Sequence, residues 1–262
     1  MSFLAPALRD VGKALQHYHL WIALGNIEIK HRYKRSVLGP FWITINMGAL
    51  IFGIGYIYAN VFDSLHSSYI PYLAAGIITW NLISGGLNEG SNAYISAAPI
   101  IQNVTISKNI HILHCMWRNV IIFLHNVLIM IPVYLIYGAF PNWGVIFAVI
   151  GLVLLICFLT SASLLLAVLS ARYRDVPPAI GGILQIAFFA TPIIWEAQAL
   201  TNHRWIVDYN PFFHLIECIR APLLHGVVPL TSFAVAAGLS ILVALLALTV
   251  YAKAHRKIVF WL

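Results

Sequence analysis

A chain of 262 residues that is 61% hydrophobic and only 9% charged does not fit a soluble domain, where roughly a quarter of the residues carry charge. The length leaves room for several membrane spans and little for a separate soluble domain. The net charge of +7 collects on one side of the topology read below, so no nucleic-acid partner is expected.

The chain starts with a segment over 6–25 that mixes Leu8, Val11, Leu15 and Trp21 with Arg9, Asp10, Lys13 and His17. It is too short and too polar to span, and suits a helix lying in the membrane interface. A basic cluster follows, with Lys30, Arg32, Lys34 and Arg35 close to Glu28. Such a cluster anchors topology and meets anionic lipid.

Residues 36–62, 64–88, 119–171, 176–195 and 221–252 hold no Asp, Glu, Lys or Arg. A span needs about 20 apolar residues. The third of these stretches is long enough for two spans, and Gly138, Pro141, Asn142 and Gly144 supply turn chemistry near its middle. Six spans are therefore predicted, at 39–61, 70–92, 116–138, 144–170, 178–196 and 231–252. The fold class is all-α: a polytopic membrane protein of six transmembrane helices, with an N-terminal interfacial helix and re-entrant outer-loop helices. It forms one membrane domain over 1–262, with an N-terminal segment at 1–35, a long connection at 93–117 and an outer loop at 197–230.

Thirteen of the fifteen Lys and Arg fall on the side of the termini, and only Arg204 and Arg220 on the other. The positive-inside rule then places both termini in the cytoplasm. The start shows no cleavable signal pattern, so the first span is expected to act as its own insertion signal.

Within the spans, polar and aromatic residues recur at helical spacing. Trp42, Asn46, Ala49, Gly53, Tyr56 and Asn60 share one face of the first span. Asn81, Ser84, Asn88 and Asn92 share one face of the second, and Gly182, Gln185, Phe189, Pro192 and Trp195 one of the fifth. Such faces turn to protein or to water, so both helix packing and a substrate surface fit them. Glu89 is a carboxylate at membrane depth, a functional candidate unless it lies close enough to the interface to be solvated. His125 and Asn126 read as interhelical hydrogen-bond partners. Arg172 to Pro177 reads as an anchored, ion-paired turn, Asn210-Pro211 as a turn or helix start, and Glu217 with Arg220 as a pair on one helical face.

No glycine-rich phosphate loop is present: the single Gly-Lys pair, Gly12-Lys13, is followed by Ala14. No His or Cys spacing matches a metal site, and none is expected. Cys115 and Cys157 read as small packing or membrane-facing residues.

Several stretches together resemble the permeases of type-2 ABC exporters. Glu28-Ile29-Lys30, Arg32-Tyr33, Ser36, Leu38-Gly39 and Trp42 are similar to the approach to their first span. Tyr72-Leu73, Gly76 and Trp80 fit the second. Arg174-Asp175 with Gln185 and Thr191-Pro192-Ile193-Ile194 resemble the fourth-to-fifth junction. Asn210-Pro211, His214, Glu217, Arg220 and Gly226 resemble the outer loop. The polysaccharide branch, which exports O-antigen, capsule or teichoic acid, is the nearest in kind.

The resemblance implies a homodimer in the bacterial inner membrane, bound to two copies of a separate ATPase that holds the ATP and Mg, with no cofactor in this chain. It implies a glycan substrate on a carrier such as undecaprenyl diphosphate. Lys30, Arg32, Lys34 and Arg35 would lie near the carrier pyrophosphate, and the 93–114 stretch would be the coupling helix, with Lys108, Arg174 and Asp175 at the junctions. Asn210, Pro211, Glu217 and Arg220 would belong to the outer gate. Trp42, Asn46, Tyr56 and Asn60, with Gln185, Phe189 and Trp195, would line the glycan passage. The sequence departs from the family in the His and Asn richness of 109–126. A drug or small-lipid exporter of the same fold is the alternative, and its face would lack these aromatics. A membrane-embedded transferase would need a convergent His, Asp and Glu set, and a channel would need rings of charge.

Overall fold

The computed structural model describes residues 4–32, 34–61, 66–138, 142–200 and 202–262. Tyr33 of the approach motif, and the predicted outer turns around 64 and 140–141, lie outside the described residues. Among the described residues the chain is helical, without a strand. The helices are α1 (Leu4–Gln16), α2 (Tyr18–Arg32), α3 (Phe41–Val61), α4 (His66–Ser96), α5 (Ala98–Asn103), α6 (Asn109–Val127) and α7 (Met130–Tyr137). They continue with α8 (Gly144–Arg172), α9 (Val176–Ala190), α10 (Trp205–Asp208), α11 (Pro211–His225), α12 (Leu230–Ala254) and α13 (Ile258–Trp261). Five segments among the described residues are long and apolar enough to cross a membrane: α3, α4, α6 running on into α7, α8 and α12. This is the all-α polytopic fold expected.

α4 is the axis of the bundle, and α3, α6, α7, α8, α9 and α11 all pack against it. Its Leu73, Ala74, Ile78, Leu82 and Ile83 are buried. In lipid, helices associate through small residues that let backbones approach, and α4 meets α8 in this way. A side chain at Gly90 would lie 2.2 Å from Ser163 Oγ, and the Ser163 hydroxyl donates to the Gly86 carbonyl at 3.1 Å. A second core closes the end that carries both termini, formed by Ala7, Tyr94, Ile112, Val168, Tyr251 and Ile258.

The single interfacial helix expected over 6–25 is two helices. The chain turns at His17, and α2 continues through the acidic and basic residues to Arg32. The third span starts at Asn109 rather than 116, so the connection expected over 93–117 shrinks to 97–108, with α5 inside it. His111 and His114 fall in the predicted connection, but in the fold they join Arg118 and Asn119 in facing α2 and α4 and find partners or burial there.

The fifth predicted span, 178–196, ends as a helix at Ala190. Pro192 cannot donate an N–H, and it pushes Thr191 out of the helical region, to φ −96° and ψ 137°. Fifteen residues reach about 22 Å at 1.5 Å each, short of a hydrocarbon layer of about 30 Å. The freed carbonyls are captured. The Tyr69 hydroxyl donates to Ile194 O at 2.6 Å, and Tyr72 to Pro192 O at 3.0 Å. Arg220 Nη1 donates to the same Pro192 O at 2.8 Å.

α11 fills the remainder. It begins beside Trp80, whose ring lies 5.4 Å from that of Phe212, and it lies flat on α8, where a Cβ at Gly151 would fall 2.2 Å from Cys218 O and one at Gly144 2.0 Å from Pro222 O. The outer segment therefore folds back into the bundle.

Candidate functional site

The stripe read from the first span is one exposed face of α3: Trp42, Asn46, Ala49, Gly53, Tyr56 and Asn60 are all exposed in the single subunit. The Asn60 amide turns back to Tyr56 O at 2.6 Å. On α9, Gln185 and Phe189 are exposed as well, and they line an open cavity with Trp80, Ser84, Asn88 and Phe188. Trp195 lies beyond the helix end, where its indole N–H donates to Phe189 O at 3.0 Å. Among the described residues the two sets line different cavities: Asn46 one on the α3 and α6 side of α4, and Gln185 and Phe189 another on the α9 side.

The most densely polar region is on the α6 side. α2 carries Glu28, whose carboxylate meets His114 Nε2 at 2.7 Å and is bridged by Arg118 Nη1. Arg118 also binds Glu89 of α4 at 2.7 Å. Glu89 is further held by the Asn119 side-chain amide. One guanidinium thus ties α2, α6 and α4 together, which explains why a carboxylate is tolerated at this depth. Trp117 locks the same contact, donating to Asn26 Oδ1 at 3.2 Å and packing edge-on against Trp21. Gly25 is required here, since a Cβ would stand 2.8 Å from Trp117.

Two cavities open on either side of the network. One, of about 400 Å³, includes Leu24, Glu28, His111 and Arg118. The other, of about 380 Å³, includes Asn46, Asn81, Asn119 and Asn126. Arg32 and Glu89 line both. Asn126 donates to Asn81 Oδ1 at 3.3 Å, as expected of an interhelical pair. His125 bonds its own helix at Ile121 O, and its carbonyl accepts from Thr44 at 2.9 Å. Of the basic cluster, Lys30, Arg32, Lys34 and Arg35 are all exposed.

A second polar hub escaped the sequence reading altogether. Asp10 of α1 accepts from Ser107 Oγ at 2.9 Å, Asn109 Nδ2 at 2.8 Å and the Tyr251 hydroxyl at 2.5 Å. It joins α1, the 104–108 turn and α12. Burial opposes its ionisation, but His255, Tyr251, Ser107 and Asn109 outweigh that and hold the carboxyl below the ordinary range. Burial lowers the Lys108 ammonium, against the pull of Asp10.

The junction before α9 departs from expectation. Among the described residues Arg174 and Asp175 form no ion pair. Arg174 Nη2 instead donates to Leu262 O at 3.3 Å, and Asp175 takes the N-cap position without a side-chain cap bond. The sequence places opposite charges side by side, but the C-terminus folds back within reach of the guanidinium.

The outer-loop residues fall as read. Asn210 caps α11, accepting from Phe212 N at 2.9 Å, and its amide donates to Thr191 Oγ1 at 3.0 Å; Pro211 is the first helical residue. Glu217 pairs with Arg220, which is buried and stacks on Tyr72 with its guanidinium carbon 3.9 Å from the ring centre. The three-residue spacing in the sequence already points to Glu217–Arg220. Nothing local points to Glu28–Arg118–Glu89, whose members come from three helices.

A long central helix, a short broken helix and a helix folded back into the bundle, around buried polar clasps, make a polytopic membrane protein. Residues 19–224 match the ABC-2 type transporter family, and the chain belongs to it. Among characterised proteins it is similar to an O-antigen export system permease protein, RfbA, of Klebsiella pneumoniae. The two are 25% identical over 219 residues, covering 80% of this chain and 82% of the relative. It is also similar to the O-antigen export system permease protein RfbA of Myxococcus xanthus, at 22% identity over 82% of this chain and 84% of the relative.

Proposed function

We propose that this chain is the membrane subunit of an ATP-driven exporter of polysaccharide, an O-antigen-like or capsular glycan carried on undecaprenyl diphosphate. It works as a homodimer in the inner membrane, with both termini in the cytoplasm, and two copies of a separate ATPase supply hydrolysis at their own ATP and Mg sites. The permease itself performs no chemistry on the glycan.

The observation that carries this reading is the exposed α3 face. Asn46 and Asn60 would cost free energy against lipid, so the face needs water or a partner, and a second copy bringing α3 and α9 faces together would enclose both. Trp42, Tyr56, Phe189 and Trp195 then offer flat rings to sugar C–H faces, while Asn46, Asn60 and Gln185 offer amides. That combination lets a polymer slide without a fixed register. Arg32 and its basic neighbours sit where a diphosphate would arrive, and α5 with the 104–108 turn is the segment offered to the ATPase. The two relatives, both O-antigen export system permeases, support the same substrate class.

The test is deletion of the gene, complemented by wild type, Tyr56→Ala or Trp195→Ala. Deletion is expected to remove surface polymer and to accumulate carrier-linked glycan inside. The two variants are expected to do the same at normal membrane abundance. Unchanged surface polymer after deletion would overturn the function, and normal export by both variants would overturn the passage.

A further inference from the structure

We infer that the open cavity between α3, α4 and α6 is a sugar subsite within a single subunit, one that holds the glycan residue next to the carrier's phosphates. The inference rests on the export function proposed above.

The lining argues for the ligand. The cavity, at about 380 Å³, falls in the range of about 300–1,000 Å³ usual for small-ligand sites. Four amides reach it, from Asn46, Asn81, Asn119 and Asn126. Asn126 is fully buried, its Nδ2 is spent on Asn81, and its Oδ1 has no donor among the described residues. Asn81 has used its oxygen as that acceptor. Asn46 has neither end of its amide engaged among the described residues.

The cavity therefore presents unmet acceptors and unmet donors side by side. A hydroxyl is both donor and acceptor and satisfies either. A phosphate would be served by donors alone, a metal cation by acceptors alone, and an acyl chain by neither. The carboxylate of Glu89 does not tip the balance toward a cation, because Arg118 and Asn119 already hold it.

Shape and position agree. Ile43, Met47 and Leu50 of α3, with Ile122 of α6, supply apolar wall between the amides, which matches a sugar ring that shows hydroxyls at its rim and C–H groups on its faces. Arg32 lies at both this cavity and its neighbour and is exposed. A diphosphate held there leaves the first sugar one group away, at the amides. Recognition in this place would select the head of the glycan, which is common to every chain length, rather than the polymer.

The experiment places a photoreactive p-benzoylphenylalanine at Ile122, and separately at Met47 in case the bulky group fills the hole. A control carries it at Leu245, exposed on α12. Irradiated membranes from cells that make the carrier-linked glycan are scored for adducts that a periodate-dependent sugar label detects. Adducts are expected from 122 or 47 and not from 245. Asn46→Ala and Asn126→Ala are expected to cut them about tenfold, the effect of one or two lost hydrogen bonds, and Asn46→Ala should do so at unchanged abundance because its side chain supports nothing in the fold.

Absence of adducts above the control, in cells where deletion of the gene still blocks export, would overturn the subsite and leave the export function standing. Equal adduct formation in cells that make the carrier without its first sugar, scored there by the mass of the carrier on the cross-linked peptide, would show a carrier site and overturn the inference. Export that survives deletion would remove the function on which both rest.

Discussion

Arg118 serves two carboxylates from two other helices, Glu28 and Glu89, and its side chain is 11% exposed. Removing one member of a buried charge network leaves the rest uncompensated. Arg118→Ala is expected to destabilise the subunit by about 3 kcal/mol, while Glu89→Gln, which keeps the shape and an acceptor, should cost less. Thermal stability of the purified protein ranks the two. Lys at 118 keeps the charge but not the fork that reaches both carboxylates, and should fall between them.

Asp10 gives a prediction in pH. Its folded carboxyl lies below the unfolded value of about 4, so between the two the unfolded chain binds more protons and stability rises with pH. The contribution is present above about 4 and lost on acidification below it. Asp10→Asn should cost about 1.5–3 kcal/mol near neutral pH, as expected for hydrogen bonds to a charged group. It should also flatten the fall of the melting temperature in acid that the wild type shows. A variant with the same acid slope as wild type would assign that slope elsewhere.

Some of these residues were visible in the sequence and some were not. Glu89 stands alone in an uncharged helix and announces itself. Glu28 is hidden among bases, and Asp10 is one polar residue of an amphipathic helix. Their partners, Arg118 and Tyr251, are distant in the chain, and only packing brings them near.

At the scale of elements, charge-free stretches located the long helices within a few residues except at the start of α6, because lipid imposes that length and composition directly. The break at Thr191–Pro192 was on the page as a proline, but the stretch 176–195 is free of fixed charge throughout. What decides for a break is a tertiary fact: Tyr69, Tyr72 and Arg220 are in place to take the released carbonyls. Close helix crossings are equally tertiary, since glycines look alike in sequence and differ in what stands opposite.

Gly151 and Gly182 make that difference measurable. A Cβ at Gly151 would overlap the Cys218 carbonyl, whereas Gly182 has nothing within 4 Å. Gly151→Ala should destabilise by about 1–3 kcal/mol or more, as overpacking does. Gly182→Ala should be neutral, or stabilising by up to about 1 kcal/mol from helix propensity. Equal effects at the two sites would mean that α11 does not lie on α8 as described.

For the whole molecule, the question is how a chain with five full-length apolar segments returns both termini to one side. Five crossings would put the ends on opposite faces, yet α1 packs on α12 and α13 on α8 and α5, so the ends meet. A sixth crossing would reconcile the two, and α9, at fifteen residues, is too short to make it alone. The register along α4 shows how it is completed. Tyr69 contacts Ile194, Tyr72 contacts Pro192, Gly76 lies against Ile193, and Trp80 meets both Phe188 and Phe212. The chain climbs from α9 along α4 and folds back to Trp80, about 16 Å along the helix from Tyr69 at 1.5 Å per residue. α11 then ascends beside α8 to Gly144. On this route two half-length helices would share one crossing, tied by Asn210 to Thr191.

This predicts opposite sides for two exposed tyrosines, Tyr173 before α9 and Tyr209 before α11. In a background with the native cysteines replaced, Tyr173→Cys and Tyr209→Cys are labelled in intact cells with an impermeant maleimide. Position 209 should react from outside, and position 173 only after permeabilisation, in line with thirteen of the fifteen Lys and Arg lying on the 173 side. Reaction of both from one side would mean that α9 turns back without crossing, and both the shared crossing and the common side of the termini would fall with it.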